Sequence, residues 1–175
     1  MHTASYPAVI FFTGLSGAGK TTIAKALQQR LHEKGLLPVM LDGDDIRQAI
    51  QLSAFDEESR KKHNLATGRL AALFEQQGHT VIVSLIAPYD AVRNAIRQLC
   101  TRFIEIYVCT SLETCIRRDP KGLYAKAIAG EIKDFTGISA PYQAPLQPEL
   151  SLDTTNLNAD ECADAVVNLL IIPNE

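Results

Sequence analysis

Short apolar runs alternate with amphipathic stretches along the chain. Val9–Thr13, Pro38–Leu41, Thr80–Ile86, Phe103–Val108 and Leu150–Leu152 read as strands of the kind buried inside a sheet. Helical periodicity fills the gaps between them. Over Thr21–Lys34, Ile23, Ala24, Leu27 and Leu31 share one face, while Lys25, Gln28, Gln29 and Arg30 lie elsewhere. Further helical stretches fall near Glu57–Gln77, Ala91–Arg102, Leu112–Arg117 and Ala159–Leu170. Gly35 and Gly78 follow two of these and suit helix C-terminal caps. Asp160 and Glu161 open the last helix, where negative charge is favoured. Buried strands separated by helices predict an α/β fold: a three-layer sandwich around a central parallel sheet of about five strands. In such a sheet the site lies beyond the carboxyl ends of the strands.

The segment Arg118–Gln147 breaks the rhythm. It has little apolar periodicity, carries Lys121, Lys126 and Lys133, and is punctuated by Gly122, Gly130, Gly137, Pro120, Pro141 and Pro145. Irregular stretches of this length are usually functional. Lysines close to a phosphate site favour a lid that closes over charged substrates.

Composition narrows the class. The 175 residues suit one domain, and 46% of them are apolar. A net charge of −3 argues against a nucleic-acid surface, so an anionic ligand must be held by local positive groups. Cys100, Cys109, Cys115 and Cys162 show no metal-binding spacing and read as free thiols in a reducing compartment. Met1–Pro7 lacks the pattern of a secretory signal, and no apolar run reaches the roughly 18 residues of a membrane span. The cytoplasm is the expected location, without a membrane partner.

Gly14-Leu15-Ser16-Gly17-Ala18-Gly19-Lys20-Thr21 supplies the chemistry. It fits the phosphate-loop pattern and stands between a predicted strand and a predicted helix, as that pattern requires. Glycines let successive backbone N–H groups approach one anion, and the helix start adds positive potential. Lys20 is placed to reach the β- and γ-phosphates, and the Thr21 hydroxyl to ligate Mg²⁺. A nucleoside triphosphate is therefore the expected ligand. Asp42, Asp44 and Asp45 crowd the end of the second strand. In phosphoryl transfer a carboxylate there can accept the acceptor's proton or hold the metal. Asp44 is assigned that role, Asp42 a supporting one, and Asp45 the capping of a helix opening at Ile46.

The chain resembles the adenylylsulfate kinases (APS kinases). The likeness rests on Phe11–Thr22, Leu41–Arg47, Arg118–Tyr124, Gly130–Ile138, Ala140-Pro141-Tyr142 and Ala144-Pro145. It implies a P-loop kinase fold with a lid at about 118–147. The implied reaction moves the γ-phosphoryl of ATP to the 3′-hydroxyl of adenosine 5′-phosphosulfate (APS), giving PAPS in sulfate assimilation. On the ATP side the resemblance points to Gly14, Leu15, Ser16, Gly17, Ala18, Gly19, Lys20, Thr21 and Thr22, with Arg118 near the adenine. On the acceptor side it points to Asp44, Arg47, Phe55, Arg60, Asn64, Ile86, Ala87, Lys121, Gly122, Leu123, Lys133 and Phe135. Arg47, Arg60 and Asn64 would meet the phosphosulfate and ribose, and Phe55 and Phe135 would sandwich the adenine. Lys121 and Lys133 would neutralise phosphates from the lid. Thr21 and Asp44 would hold Mg²⁺, and a homodimer is implied. His63 and His79 read as surface or capping residues, His32 as a polar-face residue and His2 as part of a loose terminus.

The chain also departs from the family pattern. Ala87 stands where members usually carry a serine that some mechanisms phosphorylate, so direct in-line transfer is expected. The Gln51–Ala54 stretch is shorter than usual, and the spacing from Arg60 to Asn64 is shifted by one. These changes fall on the acceptor side and keep two alternatives open. One is a related kinase for another modified nucleotide or small hydroxyl compound. The other is a nucleotide-binding module without turnover.

Overall fold

In the computed structural model, residues 7–170 are described. The readings of His2 and of most of Met1–Pro7 fall outside them. Five strands, β1 (Val9–Thr13), β2 (Val39–Asp42), β3 (Val81–Ser84), β4 (Phe103–Val108) and β5 (Leu150–Leu152), pair in the order β2-β3-β1-β4-β5. Every pairing is parallel. The central position of β1 explains its unbroken apolar run. Ile10 and Phe12 pack into one core, and Val9 and Phe11 into the other, across the sheet.

Helices α1 (Lys20–Glu33) and α7 (Ala159–Leu170) cover the first face with Ile23, Leu27, Leu31, Cys162 and Val166. Helices α3 (Glu57–Gln76) and α4 (Asp90–Leu99) cover the second with Ala71 and Ile96. α3 and α4 pack so closely that a Cβ on Gly68 would come within 2.5 Å of Ile96. The second face also buries a charge. Glu105, in the middle of β4, is paired with Arg93 at 2.9 Å and Arg97 at 3.2 Å, and Arg97 reaches on to Glu149 at 2.6 Å. A buried carboxylate is tolerated there because Arg93 is buried with it and the half-buried Arg97 adds a second guanidinium.

Two local readings change and a third gains detail. The helix after β2 is α2 (Gly43–Ala49) and opens at Gly43 rather than Ile46. Its cap is Asp42, which accepts from the Asp44 N–H at 3.0 Å, so Asp45 does not serve that purpose. The segment after α5 (Leu112–Arg118) is not plain loop. It contains α6 (Leu123–Ile128) and a bridge between Thr136 and Ala140. α6 is six residues long, too short to show a period in sequence, and it is fixed by burial of Tyr124 and Ala127. Gly35 and Gly78 lie just beyond α1 and α3 with φ of 78° and 92°, as caps do.

Candidate active site

The loop between β1 and α1 is held from outside by its carbonyls. The Ser16 carbonyl accepts from the Tyr124 hydroxyl at 2.9 Å and the Gly17 carbonyl from Arg118 at 3.4 Å. The Ala18 carbonyl accepts from Thr154 at 2.8 Å and Thr110 at 3.2 Å. Carbonyls turned outward set the N–H groups of Gly17 and Gly19 on the opposite sides of their peptide planes, while the Ala18 N–H donates to the Leu15 carbonyl at 3.2 Å. Gly14 is required for space: a Cβ there would lie 2.5 Å from the Val108 carbonyl oxygen. Lys20 is 8% exposed, and its ammonium donates to the Leu15 carbonyl at 2.7 Å. Burial pulls its pKa down to about 8, against the opposing attraction of Asp42 and Asp44. Such a cation gains most from an arriving anion.

The carboxyl ends of β2 and β3 face this loop. The Thr21 hydroxyl donates to Asp42 Oδ2 at 2.7 Å and lies 3.3 Å from Ser84 Oγ. Two hydroxyls and a carboxylate make an oxygen-rich corner at the head of α1, a donor set that suits a hard divalent cation. Asp44 is exposed and ion-paired with Lys121 across the cavity. That contact ties segment 119–147 to α2. Thr136 Oγ1 accepts from Arg60 at 2.9 Å, and Tyr142 lies 2.9 Å from Thr13 Oγ1, so the same segment also reaches α3 and β1.

One cavity of about 530 Å³ joins the two sides. Of the expected ATP residues, Ser16, Gly17, Gly19, Lys20, Thr21, Thr22 and Arg118 line it. Gly14, Leu15 and Ala18 do not: Gly14 lies under Val108, Ala18 is buried in the core, and Leu15 packs toward Gly137. Of the expected acceptor residues, Asp44, Arg47, Phe55, Arg60, Asn64, Ile86, Ala87 and Lys121 line it. Gly122, Leu123, Lys133 and Phe135 do not. Lys133 is exposed, and the Phe135 ring packs edge-on against Tyr124 at 5.1 Å. Phe55 is exposed, with the Arg47 guanidinium 4.4 Å from its ring centre. The two phenylalanines therefore do not jointly line this cavity.

Two features escaped the sequence reading. His63 is a buried cavity residue, not a surface one, with Nε2 3.1 Å from the Gly43 carbonyl. Burial, reinforced by nearby Arg47, keeps its pKa below the ordinary value. Arg93 is 1% exposed, and its guanidinium donates to the Ala87 carbonyl at 2.8 Å. Ala87 has φ of 43°, in the left-handed region that alanine seldom adopts. The buried arginine thus holds an unfavourable backbone turn in the cavity wall. A lone charge within the Phe103–Val108 run, with arginines four apart at Arg93 and Arg97, was the available signal.

A parallel five-stranded sheet, a phosphate loop at its carboxyl end and acidic residues opposite define a P-loop nucleoside-triphosphate-dependent phosphotransferase. The profile of the family described as Adenylylsulphate kinase matches residues 6–153. The chain is 44% identical to an adenylyl-sulfate kinase of Marinobacter nauticus, over 94% of this chain and 84% of that one. It is 47% identical to the bifunctional enzyme NodQ of Azospirillum brasilense, again over 94% of this chain but only 27% of the larger protein. A solved structure of the Mycobacterium tuberculosis APS kinase CysC, in complex with AMPPNP and APS, superposes with a TM-score of 0.89 at 39% identity. The match covers 94% of this chain and 98% of that one. The chain belongs to the adenylylsulphate kinase family, and it is an enzyme of the ATP-dependent kinase class. No described helix is long and apolar enough to cross a membrane.

Proposed function

We propose that this protein transfers the γ-phosphoryl of ATP directly to the 3′-hydroxyl of APS, releasing PAPS and ADP for sulfate assimilation. The observation that carries the reading is the single cavity with a phosphate loop on one side and Asp44, Arg47 and Arg60 on the other. The loop amides, Lys20 and Thr22 hold the triphosphate, and Arg118 borders the ATP base. Mg²⁺ is the divalent ion that fits the oxygen corner; Thr21 and Asp42, which is bonded to Thr21 in the place expected of Asp44, would hold it, with Asp44 two residues further along the chain, and it would neutralise charge on the transferring phosphoryl group.

Lys121 gives up Asp44 for a substrate phosphate, which frees the carboxylate to receive the proton of the attacking hydroxyl. Asp42 orients Thr21 and caps the helix that carries Asp44. Arg47, Arg60 and Asn64 engage the phosphosulfate and ribose, and the backbone of Ile86 and Ala87 lines their side of the pocket. Phe55 supplies one face for the acceptor adenine. Phe135, directly before the cavity-lining Thr136, supplies the other when the 118–147 lid closes, bringing Gly122, Leu123 and Lys133 over the acceptor. Ala87 carries no hydroxyl, so no phosphoenzyme forms at that position.

The protein acts as a single domain, in the cytoplasm, as a homodimer. One related APS kinase structure, from Thiobacillus denitrificans, is hexameric. The four described cysteines are all free, in keeping with a reducing compartment. Incubation with Mg·ATP and APS tests the reaction. PAPS and ADP are expected in equal amounts, and absence of PAPS at saturating substrates removes APS as the acceptor.

A further inference from the structure

Two buried side-chain atoms in the described structure have no hydrogen-bond partner: Nε of Arg60 and Nδ1 of His63. Both residues line the cavity, and they lie three apart on α3, on one face of the helix. Buried polar atoms normally find partners, so two orphans in one cavity wall point to a ligand. Their requirements are opposite. Arg60 already donates from Nη1 to Thr136 at 2.9 Å and from Nη2 to the Tyr89 hydroxyl at 3.4 Å, and its Nε–H needs an acceptor. His63 approaches the Gly43 carbonyl through Nε2. A carbonyl only accepts, so Nε2 carries the proton and, in the neutral ring, Nδ1 is a bare acceptor that needs a donor.

The donor can be identified by elimination within the acceptor nucleotide. Its phosphate and sulfate oxygens only accept. Its donors are the ribose hydroxyls and the adenine amino group. His63 is bonded to Gly43, the residue directly before Asp44, so its ring lies beside the base assigned to the reacting hydroxyl. The adenine is assigned to Phe55, an exposed side chain beyond the end of α2. We infer that His63 is a specificity residue for the acceptor: Nδ1 accepts a hydrogen bond from the 2′-hydroxyl, the ribose hydroxyl vicinal to the one phosphorylated. This inference rests on the APS reading above. It adds His63 to its neighbour Asn64 on the acceptor side of the cavity.

The test compares APS with 2′-deoxy-APS in the wild type and two variants. His63→Gln keeps a donor for the Gly43 carbonyl but has nothing at the Nδ1 position. His63→Asn sets an amide oxygen near that position and gives up the Gly43 contact. In the wild type, loss of the 2′-hydroxyl is expected to raise the acceptor KM about tenfold. His63→Gln is expected to raise the KM for APS by about the same factor and to treat the two acceptors alike. His63→Asn is expected to go on discriminating between them. The KM for Mg·ATP, which a general structural defect would disturb, stays at the wild-type value in both variants.

Undiminished discrimination by His63→Gln, with the wild type active on APS, overturns the His63 assignment alone. Loss of discrimination in His63→Asn also overturns it. A wild type that makes no PAPS overturns the reaction and this inference together.

Discussion

The two sides of the cavity are built to different degrees of completion. On the donor side, the loop carbonyls are held by Tyr124, Thr154, Thr110 and Arg118, and Lys20 is buried and hydrogen-bonded. On the acceptor side, Asp44 and Lys121 form an exposed ion pair, and Phe55 lies open under Arg47. Arg60 and His63 each keep a buried atom without a partner. Phosphates of any nucleoside triphosphate look alike, so a loop braced in this way serves them all, with Lys20 exchanging the Leu15 carbonyl for a phosphate. An acceptor must be told from other small alcohols. Polar groups satisfied only by the right ligand provide that discrimination, because the wrong one leaves them unpaired.

This contrast can be broken most sharply at Asp44. Asp44→Ala is expected to lower kcat about 10²–10⁴-fold in a PAPS-formation assay, the range for loss of a general base, while Mg·ATP still binds by calorimetry. A near-normal rate would take the proton-accepting role away from Asp44. Lys20→Ala is expected to lower kcat about 10²–10³-fold and, unlike Asp44→Ala, to weaken Mg·ATP binding as well. If ATP bound equally well without Lys20, the donor cradle would not work as described.

Arg93→Met attacks the acceptor wall from behind. It strands Glu105 without its nearest partner and releases the Ala87 carbonyl, so urea denaturation is expected to show a loss of about 3–5 kcal/mol. Phe55→Ala is expected to cost about 1–3 kcal/mol in acceptor binding, read as a higher KM for APS with the KM for ATP unchanged. The smallest effect concerns stability at Lys121. Its pair with Asp44 is exposed, so Lys121→Ala is expected to change the unfolding free energy by no more than about 1 kcal/mol while slowing turnover. A large destabilisation would make the pair a structural tie instead of one that substrate exchanges.

Legibility in the sequence followed the range of the forces involved. Buried strands declare themselves as apolar runs, so all five appear near their observed positions, as do α1, α3 and α7. Gly14–Thr21 is legible because its chemistry depends on consecutive backbone groups. α6 is not, because a six-residue helix held by Tyr124 and Ala127 has no period of its own. The start of α2 was misplaced because Asp42, the last residue of a strand, is also the helix cap. His63 looked like a polar residue on an amphipathic helix. Its burial comes with the approach of Gly43, twenty residues away in sequence, which itself packs against Leu85. A Cβ on Gly43 would sit 2.6 Å from Leu85 Cδ2, which measures how close that packing is.

The sequence by itself determined the layered parallel fold, the phosphate cradle and the acidic end of β2, because each arises from neighbours along the chain. Only the tertiary structure decided that Asp42 meets Thr21, that Lys121 meets Asp44, that Arg93 holds Ala87 and that His63 is buried in the cavity wall with one ring nitrogen unpaired. Those pairings join segments tens of residues apart. Sheet order and helix packing set their distances, and no local periodicity encodes them.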